Sequence, residues 1–288
     1  MNVPEGTFTP ARGRSHLDPC FLAIRAGLSK LCCKEAMPRK KKEETSSSES
    51  VTVRQGSVPI EFARPDLERE NRKGVPEVLL ARGKRHEDVL AIAREFVERT
   101  GRAVISRVDD NLLVKLQAQF ADCNLSEHHP SKMVVIKRHG YEVKATGGKV
   151  GVITAGTSDV PVAEEARIVA QEMGCDTYAV YDVGVAGIHR LFEPLKALVE
   201  QEQVDVLVVA AGMDGALPSV VAGLVDVPVI GLPTSVGYGL GGEGVAALMS
   251  MLQTCSPGLT VVNIDNGVGA GATAALIANR MARARASG

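Results

Sequence analysis

Apolar positions follow two rhythms along most of this chain. From residue 149 onward, short continuous runs of Val, Ile, Leu and Ala alternate with stretches whose apolar residues recur every three or four positions. The runs at 150–154, 177–183, 204–211, 228–232 and 259–264 predict strands. The stretches at 160–173, 188–202, 217–224, 243–252 and 270–283 predict helices, the first of them stopped by Gly174. Strands that are apolar throughout are buried on both faces, which points to a parallel sheet with right-handed helical crossovers. The predicted fold class is α/β: a three-layer, doubly wound parallel sheet over 147–288.

Residues 59–146 predict a smaller α/β domain in front of it. Strands are expected at 78–81, 103–108, 132–137 and 141–145, the last two as a hairpin turning at His139-Gly140. A helix at 86–98 puts Val89, Ile92, Ala93, Phe96 and Val97 on one face and ends at Gly101, and a shorter helix is expected at 112–120. Thr146-Gly147-Gly148 marks the seam. Residues 1–58 carry no such rhythm: a basic run at 39–42, then Glu43, Glu44 and a Ser-rich piece, predict a disordered tail with a short amphipathic helix at 21–31. The tail reads as a linker or as an organelle transit segment; Glu5, Asp18 and Glu35 weigh toward the linker.

Composition narrows the function classes. A formal net charge of -1 gives no global pull toward nucleic acid or a membrane surface. With aromatics at 3% and no Trp, a base-stacking platform is disfavoured. No apolar run approaches the ~20 residues of a bilayer span. The cysteines Cys20, Cys32, Cys33, Cys123, Cys175 and Cys255 form no CxxC pair and no secretory leader is evident, so free thiols in a cytoplasmic setting are expected.

In an open parallel sheet, a ligand sits outside the carboxyl ends of the strands. Those ends deliver Gly156-Thr157-Ser158-Asp159, then Asp182 to Gly187 followed by His189-Arg190, then Gly212-Met213-Asp214-Gly215. The last two deliver Thr234-Ser235-Val236-Gly237, with a glycine-rich continuation, and Asn263-Ile264-Asp265-Asn266-Gly267. Each joins glycine to a hydroxyl, amide or carboxylate, a combination that lets backbone N–H groups approach an anion. Taken singly, Ser158 and Asp159 also suit helix caps, His189 a helix surface and Cys255 a small buried hydrophobe. Asp214, directly after a buried strand, is a candidate base or substrate-orienting carboxylate. The first βα turn lacks the glycine spacing of a dinucleotide fingerprint, and neither a GxSxG elbow nor an HExxH pair occurs, so no protein-built metal site is expected.

Together these motifs resemble the AIR-carboxylase family of purine biosynthesis. Gly156-Thr157-Ser158-Asp159 is similar to that family's phosphate-binding turn, and Gly184 to Arg190 stands where the family carries a Ser-Ala-His-Arg element, with His189 and Arg190 in order. The runs at 211–219, 225–239 and 261–267, with Cys255-Ser256-Pro257-Gly258 and Gly74-Val75-Pro76-Glu77-Val78, resemble more narrowly the LarB carboxylase/hydrolases of nickel-pincer nucleotide synthesis.

That resemblance implies an AIR-carboxylase/flavodoxin-like fold. It also implies a reaction in which nicotinic acid adenine dinucleotide and CO2 give pyridinium-3,5-biscarboxylic acid mononucleotide and AMP. No tightly bound cofactor is implied, only magnesium accompanying the substrate phosphates. Cys255 would add to the pyridinium ring, and Asp214, where the family carries glutamate, would assist proton transfer. Gly156, Thr157, Ser158, Asp159, His189, Arg190, Ser235, Gly237 and Asn263 would surround the substrate, in a homo-octamer. Two other readings remain open: a carboxylase or mutase of an aminoimidazole ribonucleotide, and a nucleotide-binding module without chemistry.

Overall fold

The structure, a computed structural model, describes residues 63–287. The expectations for the tail, its helix at 21–31 and Cys20, Cys32 and Cys33 lie outside the described residues. The small domain opens with α1 (Arg69–Lys73), β1 (Val78–Leu80) and α2 (His86–Thr100). It continues through β2 (Arg102–Ser106), α3 (Asp110–Gln119), β3 (Asn124–His128) and β4 (Met133–Lys137). Its four strands lie in the order β1-β2-β4-β3, with β1 and β2 parallel and the other pairs antiparallel.

One expectation is corrected here. Residues 141–145 are not a strand, and β4 pairs instead with β3, which precedes it. The sequence of β3, Asn-Leu-Ser-Glu-His, is a half-exposed edge with a single apolar side chain, so no hydrophobic run announces it. The segment after β4 is held by side-chain contacts: the Tyr141 ring lies 5.6 Å from the Arg102 guanidinium.

The large domain alternates without interruption: β5 (Lys149–Thr154), α4 (Val160–Glu172), β6 (Asp176–Val180), α5 (His189–Lys196), β7 (Val206–Ala211) and α6 (Ala216–Ala222). It ends with β8 (Val229–Pro233), α7 (Val245–Leu252), β9 (Leu259–Val261) and α8 (Gly267–Ser287). All five strands are parallel, in the order β6-β5-β7-β8-β9, the doubly wound arrangement expected. β6 and β9 are shorter than their apolar runs, because the chain turns away from the sheet to form loops at its carboxyl edge.

Strand pleating divides the core into layers. Val150, Val152, Val206, Val208, Ile230 and Leu232 face Ala163 and Ala166 of α4 and Ala270 and Ala274 of α8. Ile153, Leu207, Val209 and Val229 face the other way, onto Leu191, Leu217, Val221, Ala247 and Met251 of α5, α6 and α7. The small sheet is divided likewise. Its Ala103, Ile105, Val134 and Ile136 pack with α2 and α3, while Val104, Met133 and Val135 join the core of α4 and α8. The two domains therefore share one apolar layer. An ion network crosses the same boundary: buried Arg102 reaches Glu172 of α4 at 2.9 Å and Glu70 of α1 at 2.6 Å, and Lys137 meets Glu172 at 2.7 Å.

Candidate functional site

Strand order reverses beside β5, since β6 lies on one side and β7, β8 and β9 on the other. Loops leaving β5 and β7 therefore part and open a crevice at the carboxyl edge. A cavity of about 460 Å³ occupies it, walled by the loops after β5, β6, β7 and β8. That volume falls in the range of roughly 300–1,000 Å³ found for small-molecule sites.

The loop after β5 is a tight turn held by Asp159. One carboxylate oxygen accepts the Gly156 amide at 2.8 Å and the other the Thr234 hydroxyl at 2.6 Å. Burial raises this carboxyl, and the bonds from Thr234, Gly156 and Gly212 oppose the rise. Both oxygens thus face the protein, and Asp159 knots the ends of β5, β7 and β8 together. It caps no amide of α4, and that helix carries no side-chain cap at all. Ser158, exposed and on the cavity wall, has its hydroxyl free for a ligand; Thr157 beside it is also exposed.

The β7 loop comes in close against β8. The Met213 amide donates to the Val236 carbonyl at 2.8 Å, and a Cβ on Gly212 would lie 2.2 Å from that same carbonyl. Only glycine permits this approach. Asp214 follows, exposed on the cavity wall, with one carboxylate oxygen 3.4 Å from the Ala216 amide. Four non-glycine residues adopt left-handed backbone, each in a different loop at this edge: Asp182 (φ 60), Met213 (φ 51), Glu243 (φ 59) and Asp265 (φ 54). Each such residue costs about 1–2 kcal/mol, and strain of this kind collects where a site over-determines its loops.

The other expected residues divide. Gly156, Ser158, Asp159 and Asp214 line the cavity, with Gly184, Val185, Met213 and Val236, which the sequence placed in the same strand-end loops without giving them a role. His189 and Arg190 flank it at the start of α5, where Arg190 pairs with Asp182 at 2.8 Å. Ser235, Gly237 and Asn263 are exposed on the outer loops and do not line the wall, although Gly237 packs directly against Met213 of it. Among the described residues, no group of three or more His, Cys, Asp or Glu is placed to hold a metal ion.

Cys255 lies elsewhere. It is exposed, not a buried hydrophobe, and precedes β9 at the opposite edge of the sheet, where the Val229 amide meets the Gly258 carbonyl. Ser256 packs near Gly223, beyond the far end of α6, whereas α6 begins at the cavity. The seven residues of that helix alone separate the two places by about 10 Å. Approaching Cys255, α7 exposes Val245, Met249 and Leu252, an apolar stripe at helical spacing.

Comparison with known proteins gives two family matches. Residues 149–287 match AIR carboxylase, and residues 58–138 match the LarB/PurE-like N-terminal domain. The uncharacterized protein MJ0165 of Methanocaldococcus jannaschii is 47% identical over 221 residues, covering 75% of this chain and 84% of that one. The N5-carboxyaminoimidazole ribonucleotide mutase of the same organism is 33% identical over 127 residues, covering 44% and 74% respectively. Its counterpart in Pyrococcus abyssi is 34% identical over 139 residues, covering 47% and 74%.

Proposed function

Because the chain belongs to the AIR carboxylase family, we propose that it is a carboxylase/hydrolase of a pyridinium nucleotide, converting nicotinic acid adenine dinucleotide and CO2 to pyridinium-3,5-biscarboxylic acid mononucleotide and AMP. The observation that carries this reading is the pairing of a LarB/PurE-like N-terminal domain with an AIR carboxylase domain whose switch-point cavity has an exposed carboxylate on its wall. The Gly156 amide is held by Asp159, and the next two amides of the turn, those of Thr157 and Ser158, stand at the head of a helical turn where a phosphate would bind. The exposed hydroxyls of Thr157 and Ser158 would hold ribose or phosphate oxygens, with magnesium arriving on the phosphates.

The chemistry balances without an external oxidant or reductant. A thiolate adds to a ring carbon of the pyridinium, leaving an electron-rich dihydropyridine. A neighbouring ring carbon attacks CO2 and forms the new C–C bond. Asp214 accepts the proton from that carbon, the C–S bond breaks, and the pyridinium and thiolate return. Water then cleaves the phosphoanhydride and AMP leaves.

Cys255 is the thiol in this scheme, and its position sets a condition. It stands at the edge opposite its own cavity, so the sulfur that reacts in one cavity belongs to another copy of the chain. The exposed stripe of Val245, Met249 and Leu252 is the surface a homo-octamer would cover. Chains carrying Cys255→Ala, co-produced with chains carrying Asp214→Asn, should regain turnover that neither shows alone. Failure of mixed assemblies to regain any would count against a shared site.

A second reading is favoured by the named relatives, which are mutases of N5-carboxyaminoimidazole ribonucleotide. It uses the same cavity and leaves Cys255 without a role. Turnover of the imidazole nucleotide, with none of the dinucleotide, would select it.

A further inference from the structure

Arg107 belongs to the small domain, yet its guanidinium ends in the loop after β9. Nη2 donates to the Asp265 carbonyl at 2.6 Å, and Nε lies 3.4 Å from the buried Glu165 carboxylate of α4. The residue leaves β2 in left-handed backbone (φ 57), and the next amide, Val108, is tied to the Lys132 carbonyl. Asp265 passes the contact on. Its N–H donates to the Pro233 carbonyl at 2.9 Å, and its carboxylate accepts the Ser235 amide at 2.8 Å. On one side of Ser235 is Thr234, whose hydroxyl holds Asp159; on the other is Val236 of the cavity wall. Behind the contact, a Cβ on Gly267 would come within 2.6 Å of the Glu165 Cβ, so α8 begins hard against this carboxylate.

We propose that Arg107 is a positioning residue for the nucleotide cavity: through it the small domain fixes the β9 loop and, by way of Asp265 and Ser235, the adjoining Val236 of the wall. Arg107 itself does not line the cavity. A guanidinium suits the task because its forked donors serve a carbonyl and a carboxylate at once, which an ammonium does less well. The proposal gives the small domain a part in ligand binding beyond its share of the core. It rests on the cavity being a nucleotide site, whatever chemistry follows there.

Hydrogen exchange of the full chain, read by mass spectrometry with and without AMP, tests this. Arg107→Ala should speed exchange at 235–236 and 264–266 by about tenfold, the scale of one lost charge-assisted hydrogen bond, while β5 and β7 keep their protection. AMP binding should weaken by a similar factor, and Arg107→Lys should restore part of both. Unchanged exchange at 235–236 in the alanine variant would overturn the proposal. So would loss of protection spread evenly over β5 and β7, or a wild-type chain that binds no AMP. A wild-type chain that binds AMP and gives the expected exchange pattern, yet turns over no dinucleotide, supports the brace and removes only the reaction proposed above.

Discussion

Replacing Glu165 by glutamine should change how stability depends on pH. The carboxyl sits in α4 beneath the small domain, with 6% of its side chain exposed. Burial pushes it up from 4.5 to about 7, a nearby Asp265 pushes the same way, and Arg107 only partly offsets them. Below pH 4.5 the folded and unfolded chains both hold the proton. Between 4.5 and 7 the folded chain keeps a proton that the unfolded chain has released, so each rise in pH costs stability. Above 7 the loss is complete, and a shift of this size corresponds to about 3 kcal/mol. Glutamine fills the same space with nothing to ionise. The stability difference between Glu165→Gln and wild type, from urea unfolding at several pH values, should therefore grow in favour of the variant from pH 5 to 8. Contributions common to both chains cancel in that difference. A difference that stays flat across this range would refute the buried, weakly compensated carboxylate.

Further outcomes follow from the same contacts. Cys255→Ala should leave the melting temperature within a few degrees of wild type, since the residue is exposed, and should abolish carboxylated product in a turnover assay. Asp214→Asn should lower kcat far more than it raises KM, and a change in KM alone would make that residue a binding group only. Glu172→Gln removes one of the two carboxylates that meet buried Arg102, Glu70 being the other, and the one that meets Lys137; unfolding should show a loss of about 1.5–3 kcal/mol, the scale of a hydrogen bond to a charged group. Gly212→Ala should weaken both AMP binding, read by titration, and stability, read by melting, because the added carbon strikes the Val236 carbonyl at the cavity edge.

The large domain was legible because its strands are buried on both faces. Runs such as Val206–Ala211 are apolar at every position, and such runs have little choice but the middle of a parallel sheet. β3 was not legible, because a polar edge strand takes its place from backbone bonding to β4 and not from its own side chains. The turn from Gly156 to Asp159 and the Asp214 loop, which wall the cavity, stand out in the sequence because glycine and polar groups cluster locally at strand ends. The role of Asp159 was not: its carboxylate meets Thr234, far away in sequence, and works as a knot between strands. Arg107 gave no local signal for the same reason, since its partners Glu165 and Asp265 come from another domain. Cys255 stood out as a residue, but only the folded chain places it across the sheet from the cavity.

Incubation with nicotinic acid adenine dinucleotide, bicarbonate and magnesium, followed by mass spectrometry, bears most directly on the proposed reaction. The expected result is AMP together with a mononucleotide carrying one added carboxylate, both absent when Cys255 is alanine. An untouched dinucleotide, with turnover of an aminoimidazole ribonucleotide by the same preparation, would contradict it.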